Sequence, residues 1–147
     1  MNRQMALPAT RPELANVDGS HLSGEWRECE IPAATLNDVE TLRLICICAT
    51  KVADMQMVGD AFHQFTPQGV IGTVRSAESV LAIHTWPESG LVTIDIHVRD
   101  GQANSTKNAL RLYNLLKWYF LPAKEIRSEA ALMKQPAEIC SHAACTE

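Results

Sequence analysis

Residues 70–99 hold three short runs, VIGTVR, VLAIH and LVTIDIHVR, separated by brief polar or Pro/Gly-containing connections. In the last run Ile94, Ile96 and Val98 fall on one face, and Asp95, His97 and Arg99 on the other. That period of two is the mark of a half-buried strand. Connections this short join antiparallel neighbours, because a parallel crossover needs about a dozen residues or more. A sheet with one apolar face must be covered, and the flanking sequence supplies the cover.

Asn37 or Asp38 can cap a helix in which Val39, Leu42, Cys46, Ala49 and Ala53 recur at spacings of three and four. Ser105 or Thr106 can cap a second helix with Ala109, Leu112, Leu115, Leu116, Tyr119 and Phe120 on its buried side, stopped by Pro122. HLSGEWREC (21–29), MQMVGDAFHQF (55–65) and AKEIRSEAALM (123–133) read as further strands. Thr66–Gly69 and Pro87–Gly90 read as turns, and Asp100-Gly101 ends a strand. The order β-α-β-β-β-β-α-β predicts an α+β fold. It is a two-layer α/β sandwich of a mostly antiparallel sheet with two helices packed on one face.

The chain has 147 residues, enough for one domain with a substantial core. Residues 1–18 read as a flexible leader, 19–133 as the domain and 134–147 as a polar tail. A net charge of −4 argues against nucleic-acid and membrane partners, which need a basic face. The N-terminus lacks a sustained apolar stretch, so a cytoplasmic protein is expected. Five cysteines form neither an even set nor a CxxC pair, so neither a disulfide framework nor a metal site is expected. Cys46 and Cys48 read as small core residues, and Cys140 and Cys145 lie in the tail.

SAESVLAIHTWPESG (76–90) places Ser79 five residues before His84 and a Trp86-Pro87-Glu88 corner just beyond it. A serine hydroxyl can attack the carbonyl that precedes it and turn the amide into an ester. Elimination and hydrolysis then leave an N-terminal pyruvoyl group. Such chemistry needs a well-held X-Ser bond and a group to move protons, which a histidine can be. By themselves these residues also fit an ordinary strand and turn.

AESVLAIHTWPESG closely resembles the signature of the prokaryotic S-adenosylmethionine decarboxylases, pyruvoyl enzymes of polyamine and spermidine synthesis. HLSGEWREC and FHQFTPQGVIG (62–72) resemble two further segments of that family. The resemblance implies an α/β sandwich that pairs into a homodimer. It implies cleavage between Glu78 and Ser79, with Ser79 becoming the pyruvoyl cofactor and His84 assisting. The ketone would form a Schiff base with a substrate amine and accept the electrons released as CO₂ leaves. Phe65 would stack on adenine and Glu88 would accept from ribose hydroxyls.

Two positions depart from the family pattern. Arg99 stands where the family has a proton-donating cysteine, and Ile71 where it commonly has a serine linked to processing. Three readings stay open. In the first, S-adenosylmethionine is still the substrate, with another proton donor such as His97. In the second, the pocket takes L-ornithine or L-arginine, with Arg99 clamping a carboxylate or His97 and Asp95 contacting a side-chain amine. Or the chain is a non-catalytic partner subunit.

Overall fold

The alternating runs become one six-stranded sheet. Its strands are β1 (Gly19–Cys29), β2 (Met57–Gln64), β3 (Val70–Ser76), β4 (Ser79–Trp86), β5 (Leu91–Val98) and β6 (Pro122–Leu132). Their spatial order is β2-β3-β4-β5-β1-β6, and every neighbouring pair is antiparallel. The computed structural model describes residues 19–99 and 103–132. The expectations for the leader, for Asp100-Gly101 and for the tail with Cys140 and Cys145 lie outside the described residues.

Among the described residues three α-helices accompany the sheet: α1 (Ala33–Leu36), α2 (Val39–Val52) and α3 (Ala103–Phe120). The single turn α1 was not expected from the sequence, being too short to show a period. Helices α2 and α3 touch each other; α2 lies on β2 and β3, and α3 on β5 and β1. Beneath them the buried residues alternate along the strands: Val70 and Val74, Leu81 and Ile83, Val92 to Val98 at every second position, Leu22 and Trp26. The other face carries the intervening residues and has no helix on it among the described residues.

Asp38 is the cap of α2, its carboxylate accepting from the amides of Glu40 and Thr41 at 3.1 and 3.3 Å. Cys46 is buried as expected, but Cys48 is exposed. Two positions along a helix turn a side chain through about 200°, so both cannot face one core. In α3 the buried stripe is Ala109, Leu112, Tyr113, Leu116 and Phe120, with Leu115 partly buried. Tyr119, expected on that stripe, is exposed, and Tyr113 takes the buried place. Tyr113 lies four after Ala109 and seven before Phe120, which is the helical repeat; Tyr119 lies off it. The helix also starts earlier than expected, so Ser105 is inside it rather than capping it.

One polar knot holds α3 to the sheet. The Trp26 indole N–H donates to Tyr113 Oη at 3.0 Å and to Glu125 at 3.1 Å, and the Tyr113 hydroxyl donates to Glu125 at 2.8 Å. Lys117 completes it at 3.0 Å. Burial works against the Glu125 carboxylate, yet its three donors, Lys117, Tyr113 and Trp26, hold its pKa below the ordinary value. Gly24 makes the approach possible. A Cβ there would meet the Tyr113 hydroxyl oxygen at 2.3 Å. The glycine that looks weak for a strand is thus the place where the ring lies against the backbone.

Gly24→Ala should therefore destabilise the fold by about 1–3 kcal/mol, the usual cost of overpacking. Urea unfolding checks it; an unchanged midpoint would show that the ring is not seated on Gly24.

Candidate active site

Ser76 ends β3 and Ser79 begins β4, so only Ala77 and Glu78 form the hairpin loop between them. The Glu78–Ser79 peptide bond thus leaves a tight turn and enters a central strand. Its groups are held from several sides. The Arg99 amide donates to the Glu78 carbonyl oxygen at 2.8 Å. Ser105 of α3 donates to the Glu78 carboxylate at 2.6 Å. The Ser79 hydroxyl is buried, 2.8 Å from Ser76 Oγ and 4.0 Å from Met55 Sδ. The Ser79 amide donates to Ser76 Oγ at 3.0 Å. Arg99 reaches this bond through its main chain, which any residue at that position would offer; its side chain is exposed.

His84 lies elsewhere. Ser79, Leu81 and Ile83 face the helices, so His84 takes the open face. Five residues of strand put it about 16 Å along β4 from Ser79. The structure does not bring His84 to Ser79 within one chain. Ile71 is paired directly with His84 and is 40% exposed, at the same remote end of the strand.

What surrounds His84 is aromatic. Its ring stacks on Trp86 with centroids 3.7 Å apart, and Phe65 follows at 5.6 Å. His63 meets Phe65 edge-on at 5.0 Å. Trp86 therefore covers His84 instead of anchoring the core. Phe65 is presented by a loop that Asn37 fastens: Asn37 Oδ1 accepts from the Gly69 amide and from Gln64 Nε2, both at 2.8 Å. The Phe65 amide donates to the Gly69 carbonyl at 2.8 Å, closing the turn, and Thr66-Pro67 within it is cis. Gly69 sits at φ +108°, where a side chain would be strained. Glu88 lies exposed in one turn of 3₁₀ helix, Pro87–Ser89, closed by Gly90 in the left-handed region.

Partial burial pushes the His84 imidazole below its ordinary pKa, and the Glu88 carboxylate works against that shift. The two groups therefore share one electrostatic neighbourhood. His97 is also lowered, first by burial and then by His21, with Asp95 opposing. His97 pairs with Val80 on the open face, at the Ser79 end of the sheet. His21 and His97 stack at 3.9 Å, and His21 Nε2 is 2.9 Å from Asp95 Oδ1. These three residues offer ligand atoms within 4.8 Å of one another. They come from two strands paired across the sheet, so no spacing in the sequence announces them.

The sequence-derived site thus divides in two. Glu78, Ser79, His97 and Arg99 gather at one end of β4 and β5; Phe65, His84 and Glu88 gather at the other. Ser76 had not been singled out, and Ser105 and Asn37 had been read only as helix caps. For Ser76 a signal existed, since residues flanking a two-residue hairpin loop face each other. Ser105 and Asn37 act across elements distant in sequence.

Removing the Glu88 charge, as in Glu88→Gln, should lower the His84 midpoint further, because a neighbouring carboxylate favours the imidazolium. Imidazole NMR titration reads this directly; a midpoint that rises or stays fixed would place Glu88 out of reach of His84.

Residues 20–129 match the family described as S-adenosylmethionine decarboxylase. The S-adenosylmethionine decarboxylase proenzyme of Caldanaerobacter subterraneus subsp. tengcongensis is 30% identical over 126 residues, covering 86% of this chain and 98% of that protein. The proenzyme of Syntrophomonas wolfei is 33% identical over 120 residues, covering 82% and 92%. Among solved structures, the adenosylmethionine decarboxylase from Aquifex aeolicus superposes with a TM-score of 0.71. It is 26% identical, and the match covers 84% of this chain and 98% of that one.

Proposed function

The chain belongs to the S-adenosylmethionine decarboxylase family, and we propose that it cuts itself between Glu78 and Ser79 and decarboxylates S-adenosylmethionine for spermidine synthesis in the cytoplasm. The observation that carries this reading is the state of one peptide bond. Its carbonyl oxygen accepts from the Arg99 amide at 2.8 Å, a donor aimed where negative charge develops on attack, and the attacking hydroxyl belongs to the adjoining buried serine. These groups fit the making of a pyruvoyl cofactor from Ser79, a carbonyl that serves as an electron sink when CO₂ leaves.

For the substrate, the arrangement favours a nucleoside. Phe65 offers a partly exposed ring beside the His84–Trp86 stack, suited to a flat base, and exposed Glu88 offers an acceptor for ribose hydroxyls. Nothing in the geometry favours ornithine, arginine or a non-catalytic role. Arg99 keeps its charge and is a poor proton donor. His97 pairs with Val80 at the Ser79 end of the sheet, on the face opposite the buried Ser79 side chain, and is assigned that role toward a substrate bound at the cut end; its lowered pKa makes its imidazolium a readier acid, though a scarcer one at neutral pH.

A single chain leaves recognition and cleavage ends about 16 Å apart along β4. A symmetric homodimer, in which the Phe65–His84–Glu88 end of one protomer serves the Ser79 end of its partner, would complete both sites.

Release of CO₂ from carboxyl-labelled S-adenosylmethionine, L-ornithine and L-arginine tests the reading. Turnover of S-adenosylmethionine is expected, with Phe65→Ala and Glu88→Ala each lowering kcat/KM by about tenfold or more, the scale of one lost stacking or ribose contact. Co-expressed Ser79→Ala and Glu88→Ala chains should regain activity in the mixed dimer. Preference for ornithine or arginine, or no release with any of the three, would overturn the assignment.

A further inference from the structure

We infer that Ser76 is a catalytic residue of self-cleavage, the hydroxyl that carries the proton from Ser79 Oγ to the Ser79 nitrogen. The inference rests on the self-cleaving reading above and supplies what Ile71 cannot. Ile71 has no proton to give and lies at the far end of the strand from the bond.

Ser76 Oγ stands within reach of three atoms of Ser79. It is 2.8 Å from Oγ, accepts from the amide at 3.0 Å, and lies 3.2 Å from the carbonyl oxygen. The first two are the atoms between which a proton must pass when an amide becomes an ester. Ser79 Oγ bonds to the Glu78 carbonyl carbon while the C–N bond to Ser79 breaks. The proton of Ser79 Oγ goes to Ser76 Oγ, and the proton of Ser76 goes to the departing nitrogen. In the resting chain that nitrogen donates to Ser76. On attack it becomes pyramidal and basic, so the same contact reverses direction without either group moving far.

No atom is gained or lost in this step, and no co-reactant is needed. The Arg99 amide holds the carbonyl oxygen throughout, opposite in role to Ser76. Elimination then expels the Glu78 carboxylate as the Cα proton passes to water, and hydrolysis of the dehydroalanine consumes one water and releases ammonia.

Ser76 is itself buried, only 8% exposed, so bulk water is not at hand to replace it. It is held by the tight hairpin whose loop residues are Ala77 and Glu78. Proton transfer in a buried pair of hydroxyls depends on fixed geometry, which a two-residue loop provides.

The test follows cleavage by intact mass over time after synthesis, in wild type and in Ser76→Ala. At least a tenfold slower division at Glu78–Ser79 is expected in the variant, together with an uncut chain that neutral hydroxylamine, which opens esters but not amides, leaves whole. Division at the wild-type pace, or hydroxylamine scission between 78 and 79, would overturn the role of Ser76. If Ser76→Ala does not fold, Ser76→Thr and Ser76→Val decide, being alike in shape: Thr should cut and Val should not, and equal cutting overturns the inference. A wild-type chain that never divides would instead overturn the self-cleaving reading itself.

Discussion

The pleat of the antiparallel sheet decides where every functional group can be. Successive side chains leave opposite faces, so each strand serves two environments at once. On β4 the odd-numbered positions, Ser79 to Thr85, lie under the helices, and the even-numbered ones face outward with His84 and Trp86 among them. Ser79 is buried because it shares the core face with Leu81 and Ile83. His84 is accessible to a base or a partner because it does not. A shift of one residue in register would exchange the two and put an imidazole in the core.

Polar contacts reinforce that register in the row of the sheet that holds Trp26, Val92 and Thr85. The Trp26–Tyr113–Glu125 knot fixes α3 over β1 and β6. Thr85 donates to the Leu36 carbonyl at 2.7 Å and accepts from the Val70 amide at 3.0 Å, tying the far end of β4 to α1 and β3. Both contacts lie at the end of the sheet remote from Ser79; the turn at Ala77-Glu78 is held by its own partners, the Arg99 amide on the Glu78 carbonyl and Ser105 on its carboxylate. Strained or crowded groups at a reacting bond persist only when the scaffold determines them.

Much of this was legible in the sequence. Period-two alternation announced β3, β4 and β5 and their faces, and the Asn37-Asp38 pair before VETLRL announced the start of α2. The two helices on one face follow from those patterns alone. Legibility failed where a choice depended on a neighbour. Asn37 and Asp38 are equally good caps, and only the Gly69 loop shows why Asn37 is occupied elsewhere. Tyr113 and Tyr119 both sit among apolar residues; Tyr113 keeps the helical repeat of Ala109 and Phe120, and the groove left by Gly24, invisible in the sequence, receives its ring. The residues of the site were named largely through the IHTWPE segment and its resemblance, not through spacing. Their separation into two groups is a property of strand length and parity. Ser79 and His84 are five positions apart, an odd separation that sends their side chains to opposite faces of a strand and places them about 16 Å apart along it.

Whether the Glu78–Ser79 bond breaks is the hinge of the whole account. The mass spectrum of purified, denatured protein, with and without a hydrazide that traps carbonyls, answers it. The account predicts two chains, residues 1–78 and 79–147, with the hydrazide adding mass to the second alone. One chain of the full 147-residue mass, unreactive toward the hydrazide, would contradict it.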